Sequence, residues 1–351
     1  MSRVEAMLAQ AELMLNQRSV LPANRFCMLK QLREHDQKLF STVCWLQQHA
    51  GQDTSAQRPQ WFSWLLCDAD MQLLPLDAIA HFSHPQDSWL LLHQLKLRLF
   101  TPMSQHWQKL LQQQCVASDN ELWWALAYYL QLPLKPLTDD TPLTSTALWY
   151  SMLSKPAANQ EDMHYSFSAN DSLNIQYQLM LQLNRAGYQA DLDSYTAAQL
   201  LESVAPCRYG LMLLLAIADA AMQAKLINYL AQTDQGTAIT AMGYSGQLKY
   251  VPLLSELAQQ PELHTVAADA LTLLLGVLDS EACIADPGLL KHFHSSHGSS
   301  RYLSGAAASE LQLNTVWRSG NVQQRQLAGL MLTLQSHQQP VSPADALQVP
   351  I

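Results

Sequence analysis

Gly236-Thr237-Ala238-Ile239-Thr240-Ala241-Met242-Gly243-Tyr244-Ser245-Gly246 is followed by Leu248-Lys249-Tyr250-Val251-Pro252-Leu253-Leu254. After Pro261-Glu262-Leu263 comes Val266-Ala267-Ala268-Asp269-Ala270-Leu271, closing at Gly276. These residues decide the fold. Their apolar positions recur at helical spacing, which predicts one helix over Thr237–Gly243 and a second over Leu248–Gln259, with Pro252 early in it. A third helix begins after Pro261. Small residues fall where two helices would approach closely, and Gly243, Gly246 and Gly276 fall where the chain turns back or packs tightly. Upstream, Leu226, Ile227, Leu230 and Ala231 echo Leu253, Leu254, Leu257 and Ala258 at an offset of 27 residues. A single helix pair cannot bury its apolar face alone, so repetition of this kind predicts stacked pairs.

The rest of the chain also reads as helix. Val4, Met7, Leu8, Ala11, Met14 and Leu15 follow the i, i+3, i+4, i+7 rule, and Pro22 is read as opening a longer helix through Cys27, Leu32, Leu39, Val43 and Leu46 that stops near Gly51. A loop over 51–59 precedes expected helices at 60–67, 75–83, 86–100, 104–116, 119–131 and 144–153, with Asp87 and Asp119 as N-terminal caps. Helices resume at 172–187 and 191–204. Prolines 133, 136 and 142 and the polar stretch 154–171 mark the domain boundary. Eight of the nine tryptophans precede it. The expected organisation is a helical N-terminal block over 1–153, a repeat region over 172–335 and a tail over 336–351. The fold class is all-α, with essentially no sheet.

Composition narrows the function. Glycine contributes 12 of 351 residues, about half its usual share, which disfavours phosphate-binding loops and hairpin-rich folds. The formal charge is −9 and uneven: residues 161–290 hold four Lys and Arg against 14 Asp and Glu, while 291–330 are net positive. An acidic centre repels a phosphate backbone, so nucleic acid is not expected as a partner. Cys27, Cys44, Cys67, Cys115, Cys207 and Cys283 form no C-x-x-C motif and read as small hydrophobes in a reducing compartment. Glu5 and Glu12 stand where an export signal would be basic, and the apolar run Leu211–Ala218 is too short to span a bilayer. The expectation is a cytoplasmic protein without membrane insertion.

The stretch quoted first resembles HEAT repeats. More narrowly, it is similar to a bacterial HEAT-repeat family encoded in type VI secretion gene clusters. Arg301-Tyr302-Leu303-Ser304-Gly305, Val316-Trp317-Arg318-Ser319-Gly320 and Gln324-Arg325-Gln326-Leu327-Ala328 resemble that family's closing motif. The likeness covers roughly residues 200–335. It implies an α-solenoid behind an aromatic-rich N-terminal block, with a role as scaffold or adaptor among secretion components or effectors. It brings no catalytic residue and no cofactor.

Few residues suggest chemistry. His292, His294 and His297 are the one local cluster of metal-capable side chains; three imidazoles could hold zinc, but no Cys or carboxylate completes a familiar spacing, and a solvated loop is the simpler reading. Asp139 with Asp140, and Asp191 with Asp193, could be imagined as catalytic carboxylate pairs, although adjacent surface acids in loops explain them. Trp123, Trp124 and Tyr128 lie on neighbouring faces of one expected helix; packing between helix layers is the simpler reading, and a face left exposed is the candidate partner surface. The expected protein is non-enzymatic. The alternatives are an enzyme on a HEAT-like scaffold, of chromophore-lyase or DNA-glycosylase type, and a structural spacer.

Overall fold

Serine 2 begins the first helix by the logic of a capping box. Its Oγ accepts from the Glu5 amide while Glu5 Oε2 accepts from the Ser2 amide at 2.6 Å, so two orphan donors are satisfied at once. In this computed structural model, residues 2–49, 172–205, 209–286 and 300–336 are described. The chain divides into two compact units, Met1–Thr141 with Val349–Ile351, and Pro142–Gln348.

In the first unit, helix α1 (Arg3–Val20) packs on α2 (Leu29–His49). Val4, Leu8, Ala11, Met14 and Leu15 are buried, as their periodicity predicts, together with Leu32, Leu39, Val43 and Leu46. Pro22 does not open the second helix. It sits in a 3-10 turn, Leu21–Ala23, and the chain re-enters helix only at Leu29, leaving Cys27 in the connection. Proline fixes φ without specifying how long the helix after it will run. Between the helices, Arg18 (1% exposed) and Asp36 (5%) form a buried ion pair, Nε to Oδ1 at 2.6 Å and Nη2 to Oδ2 at 3.3 Å.

Among the described residues the second unit begins with α3 (Ser172–Asn184) and α4 (Ala197–Val204), the latter started by a second capping box, Thr196 with Gln199. Then come α5 (Gly210–Ile217), α6 (Ala220–Thr233), α7 (Gln235–Ser245), α8 (Val251–Leu257), α9 (His264–Leu275) and α10 (Val277–Ala285). Asp219 caps α6 and Asp234 caps α7. Helices α5, α7 and α9 pack in sequence, and α6, α8 and α10 pack against them.

Repetition is visible in the burial. Ala238, Ile239, Ala241, Met242, Gly243 and Ser245 of α7 are buried, and so are Ala267, Ala268, Ala270, Leu271, Thr272 and Leu274 of α9, each 29 residues on. For α6 and α8 the offset is 28: Gln223, Leu226, Ile227 and Leu230 match Val251, Leu254, Ser255 and Ala258. The offset of 27 read from sequence is therefore one residue short. It pairs buried Leu226 with exposed Leu253, because one residue rotates a helix by about 100°. The glycines behave as their positions suggest. A Cβ on Gly243 would lie 2.9 Å from Ala270 Cα, so α7 and α9 touch backbone to backbone there, and Gly246 ends α7 at φ +70°.

The described C-terminal segment closes this array. A two-residue hairpin, β1 (Tyr302–Leu303) and β2 (Ala306–Ala307), leads into α11 (Glu310–Ser319) and α12 (Val322–Ser336). Helix C-termini leave carbonyls without partners, and this segment supplies donors to three in succession. Arg301 donates to Ala216 and Ala218 at the end of α5, the Tyr302 amide to Gly246 after α7, and the Ser304 and Gly305 amides to Leu273 and Leu274 in α9. Gln324 Nε2 adds Thr272 O at 2.9 Å. Beneath, Leu303, Leu313, Val316, Leu327 and Ala328 form one buried cluster with Met212 and Leu273, and α12 reaches α3 and α5. Arg301, Tyr302, Ser304, Gly305 and Gln324 thus fasten helix ends.

Candidate functional site

The second unit contains an open groove of about 330 Å³ lined by Gln182, Gln189, Ala190, Asp191, Leu192, Asp193, Ile217, Asp219 and Met222. One wall is the connection between α3 and α4. It is held against α3 at two levels: Gln182 Oε1 accepts from the Ala190 amide at 3.0 Å, and Tyr195 Oη accepts from Asn174 Nδ2 at 3.0 Å and Gln178 Nε2 at 2.9 Å. Leu192 is buried, anchoring a 3-10 turn, Leu192–Ser194, so that Asp191 and Asp193 on either side of it are exposed. A short turn with one apolar residue between two acids has no other way to satisfy all three.

The other wall is the α5–α6 junction. Asp219 accepts from the Met222 amide at 2.8 Å and remains exposed. Behind it, burial pulls the Arg301 guanidinium below its ordinary pKa, while the Asp219 charge opposes the change. Lys225 Nζ lies 3.8 Å from Asp193 Oδ1, both side chains being largely exposed, a contact that contributes little in water. Three carboxylates therefore face one groove, with one wall tied to α3 by neutral hydrogen bonds and the other fastened by Arg301 to Ala216 and Ala218. Chemically, the arrangement can attract a cationic side chain. It offers no nucleophile beside a base, and among the described residues no three His, Cys, Asp or Glu side chains come together to hold a metal ion.

Asp191 and Asp193 occupy a surface loop, the simpler of the two readings of that pair, and the fold adds Asp219 from 26 residues further on. Sequence reading missed Asp219 and Gln182 as groove residues. The signal for Asp219 was its place just before an Ala-rich helix, which marks a cap but does not say what the cap faces. Trp123, Trp124 and Tyr128, the histidines 292, 294 and 297, and Asp139 with Asp140 lie outside the described residues. So do the helices expected between 60 and 153, and Cys67, Cys115 and Cys207. Of the remaining cysteines, Cys27 and Cys283 are buried and Cys44 half-buried, all free, and burial pushes each thiol above its ordinary pKa. Among the described residues no helix is long and apolar enough to cross a membrane. Compared with known proteins, the chain matches no family model, no curated protein and no solved structure.

Proposed function

We propose that this chain is a non-enzymatic scaffold or adaptor, a HEAT-like α-solenoid behind an aromatic-rich helical block, that binds a partner protein through a basic surface. The observation carrying the reading is the groove with Asp191, Asp193 and Asp219 on its walls, set in a part of the chain where acids greatly outnumber bases. Clustered unlike charge speeds encounter and is screened by salt, while buried apolar contacts supply affinity. The resemblance of residues 200–335 to HEAT-repeat proteins of type VI secretion clusters supports secretion components or effectors as partners. Trp123, Trp124 and Tyr128 are proposed as a further contact. The same acidity argues against nucleic acid as ligand.

The test is capture from the native host with the purified chain as bait, at low and at high salt, beside an Asp191→Lys/Asp193→Lys variant. The expected result is one or a few identified proteins, retained best by the wild type at low salt. Recovery of no protein, while the purified chain turns over a small molecule or binds nucleic acid, would replace the scaffold with an enzyme or a nucleic-acid binder.

A further inference from the structure

The α5–α6 wall of the groove is held from behind. The last four carbonyls of an α-helix have no partner within it, and those at the end of α5 are claimed one by one. The Ala218 amide donates to Leu214 O, Gln223 Nε2 to Leu215 O at 2.8 Å, and the Arg301 fork to Ala216 O and Ala218 O. The two carbonyls that Arg301 holds stand on either side of Ile217, and Asp219 is the next residue; Ile217 and Asp219 both line the groove. Asp219 is fixed in turn as the cap of α6 through the Met222 amide. Gln223, buried one residue further on, also reaches Ser245 O at 3.3 Å. A guanidinium more than 80 residues away in the chain therefore helps to set this wall.

Arg301 is itself part of the hairpin. Its carbonyl accepts from the Ala308 amide at 2.8 Å, and the Tyr302, Ser304 and Gly305 amides donate to Gly246, Leu273 and Leu274. Gly246 makes room for it, since a Cβ there would lie 3.0 Å from Arg301 Cβ. The guanidinium keeps its hold on Ala216 and Ala218 only while the hairpin stays seated on α7 and α9. We infer that docking of this hairpin governs the groove: Arg301 is a positioning residue for the Ile217–Asp219 wall, and a basic ligand held by that wall in turn tightens the hairpin. The inference rests on the reading of the groove as the site of a basic partner, and adds how that site is controlled. Binding and docking that share one element are linked, and the linkage acts equally in both directions. Its sign separates it from a simple charge effect. Arg301 is a cation behind an acidic wall, so on charge alone its removal should favour a basic ligand. As a positioning residue, its removal should do the opposite.

The test is a titration of the full chain with a fluorescein-labelled oligolysine peptide at low salt, with amide hydrogen exchange followed in its presence and absence. At ten times its Kd the peptide should slow exchange at Tyr302, Ser304 and Gly305 about tenfold, as a ligand bound only by the docked state does. Exchange in α10, none of whose residues lines the groove, should stay as it was. Arg301→Gln should weaken the peptide about fivefold or more, and so should Arg301→Lys, which keeps the charge and loses the fork. The exchange comparison uses the wild type alone, so a substitution that unfolds the chain does not decide the matter. Tighter binding by Arg301→Gln, or a peptide-bound wild type whose hairpin exchanges as before, overturns the inference and leaves the groove reading standing. So does equal slowing along the whole chain, the mark of general stabilisation. A peptide that Asp191→Asn/Asp193→Asn binds as well as the wild type does, or that the wild type fails to bind, overturns the groove reading and this inference with it.

Discussion

Two regions of the molecule bury polar groups in different ways. Between α1 and α2, a guanidinium and a carboxylate share the interior, with His35 Nδ1 a further 3.8 Å from Asp36 Oδ1. Within α3–α10 the buried polar side chains are Gln176, Ser203, Gln223, Ser245, Ser255, Thr272 and Ser280, all neutral. They bind helix carbonyls: Gln176 reaches Ser203 O, Gln223 reaches Leu215 O and Ser245 O, and Ser255 reaches Cys283 O. A buried ion pair is held by two charges that depend on each other, whereas each neutral bond can be lost singly. The first arrangement should be brittle towards mutation and acid, and the second should fail gradually.

The largest expected effect follows from breaking the ion pair. Arg18→Ala leaves Asp36 buried without its counter-charge and should cost about 3–5 kcal/mol in equilibrium urea unfolding. Replacing both partners by leucine should recover most of that loss, because the two desolvation costs disappear together. A single change as harmless as the double one would mean that water reaches the pair.

A smaller effect tests the array. Gly243→Val places a branched side chain against Ala270 and should cost about 1–3 kcal/mol. Adding Ala270→Gly should return part of it, and the melting temperatures of the single and double variants measure this. No rescue would mean that α7 and α9 are not in direct contact at this point.

The pH response sharpens the contrast further. Burial pushes the Asp36 carboxyl up, but the charge and hydrogen bond of Arg18 together with His35 beside it outweigh burial and hold the carboxyl below its ordinary value. Its stabilisation is therefore complete above the unfolded carboxylate pKa of about 3.9 and is lost as pH falls through the lower folded value. Hydrogen exchange on acidification should show α1 and α2 opening before the core of α7 and α9, whose buried bonds do not titrate. At the surface, hydrogen bonds from Thr237 hold Asp234 low, so the α7 cap should weaken in the same acid range with a slighter effect. Simultaneous opening of both regions would erase the distinction.

The parts legible in sequence were those written locally. Helical periodicity placed α1, α7 and α9, and Gly246 and Gly276 marked helix ends, with φ values of +70° and +82°. What escaped was set at a distance or by fine phase. A helical pattern looks much the same at an offset of 27 or 28, yet the side-chain direction differs. The hairpin is two residues per strand, too short for alternation to show. Arg301 reads as one cation in a slightly basic tail, and its partners at Ala216 and Ala218 lie more than 80 residues away. Asp219 joins Asp191 and Asp193 only because α5 and α6 pack beside the α3–α4 connection. The groove is a product of the fold, and its charge was visible in the sequence only as a regional excess of acid.

That excess makes the most direct measurement a kinetic one. With a partner recovered from the host, association rate constants should be determined across a range of salt for the wild type and for Asp191→Asn/Asp193→Asn. An acidic groove that steers a basic partner predicts a wild-type rate that falls as salt rises, and a variant that associates more slowly with a shallower slope, its dissociation nearly unchanged. Equal rates and equal salt slopes for the two proteins would contradict the account.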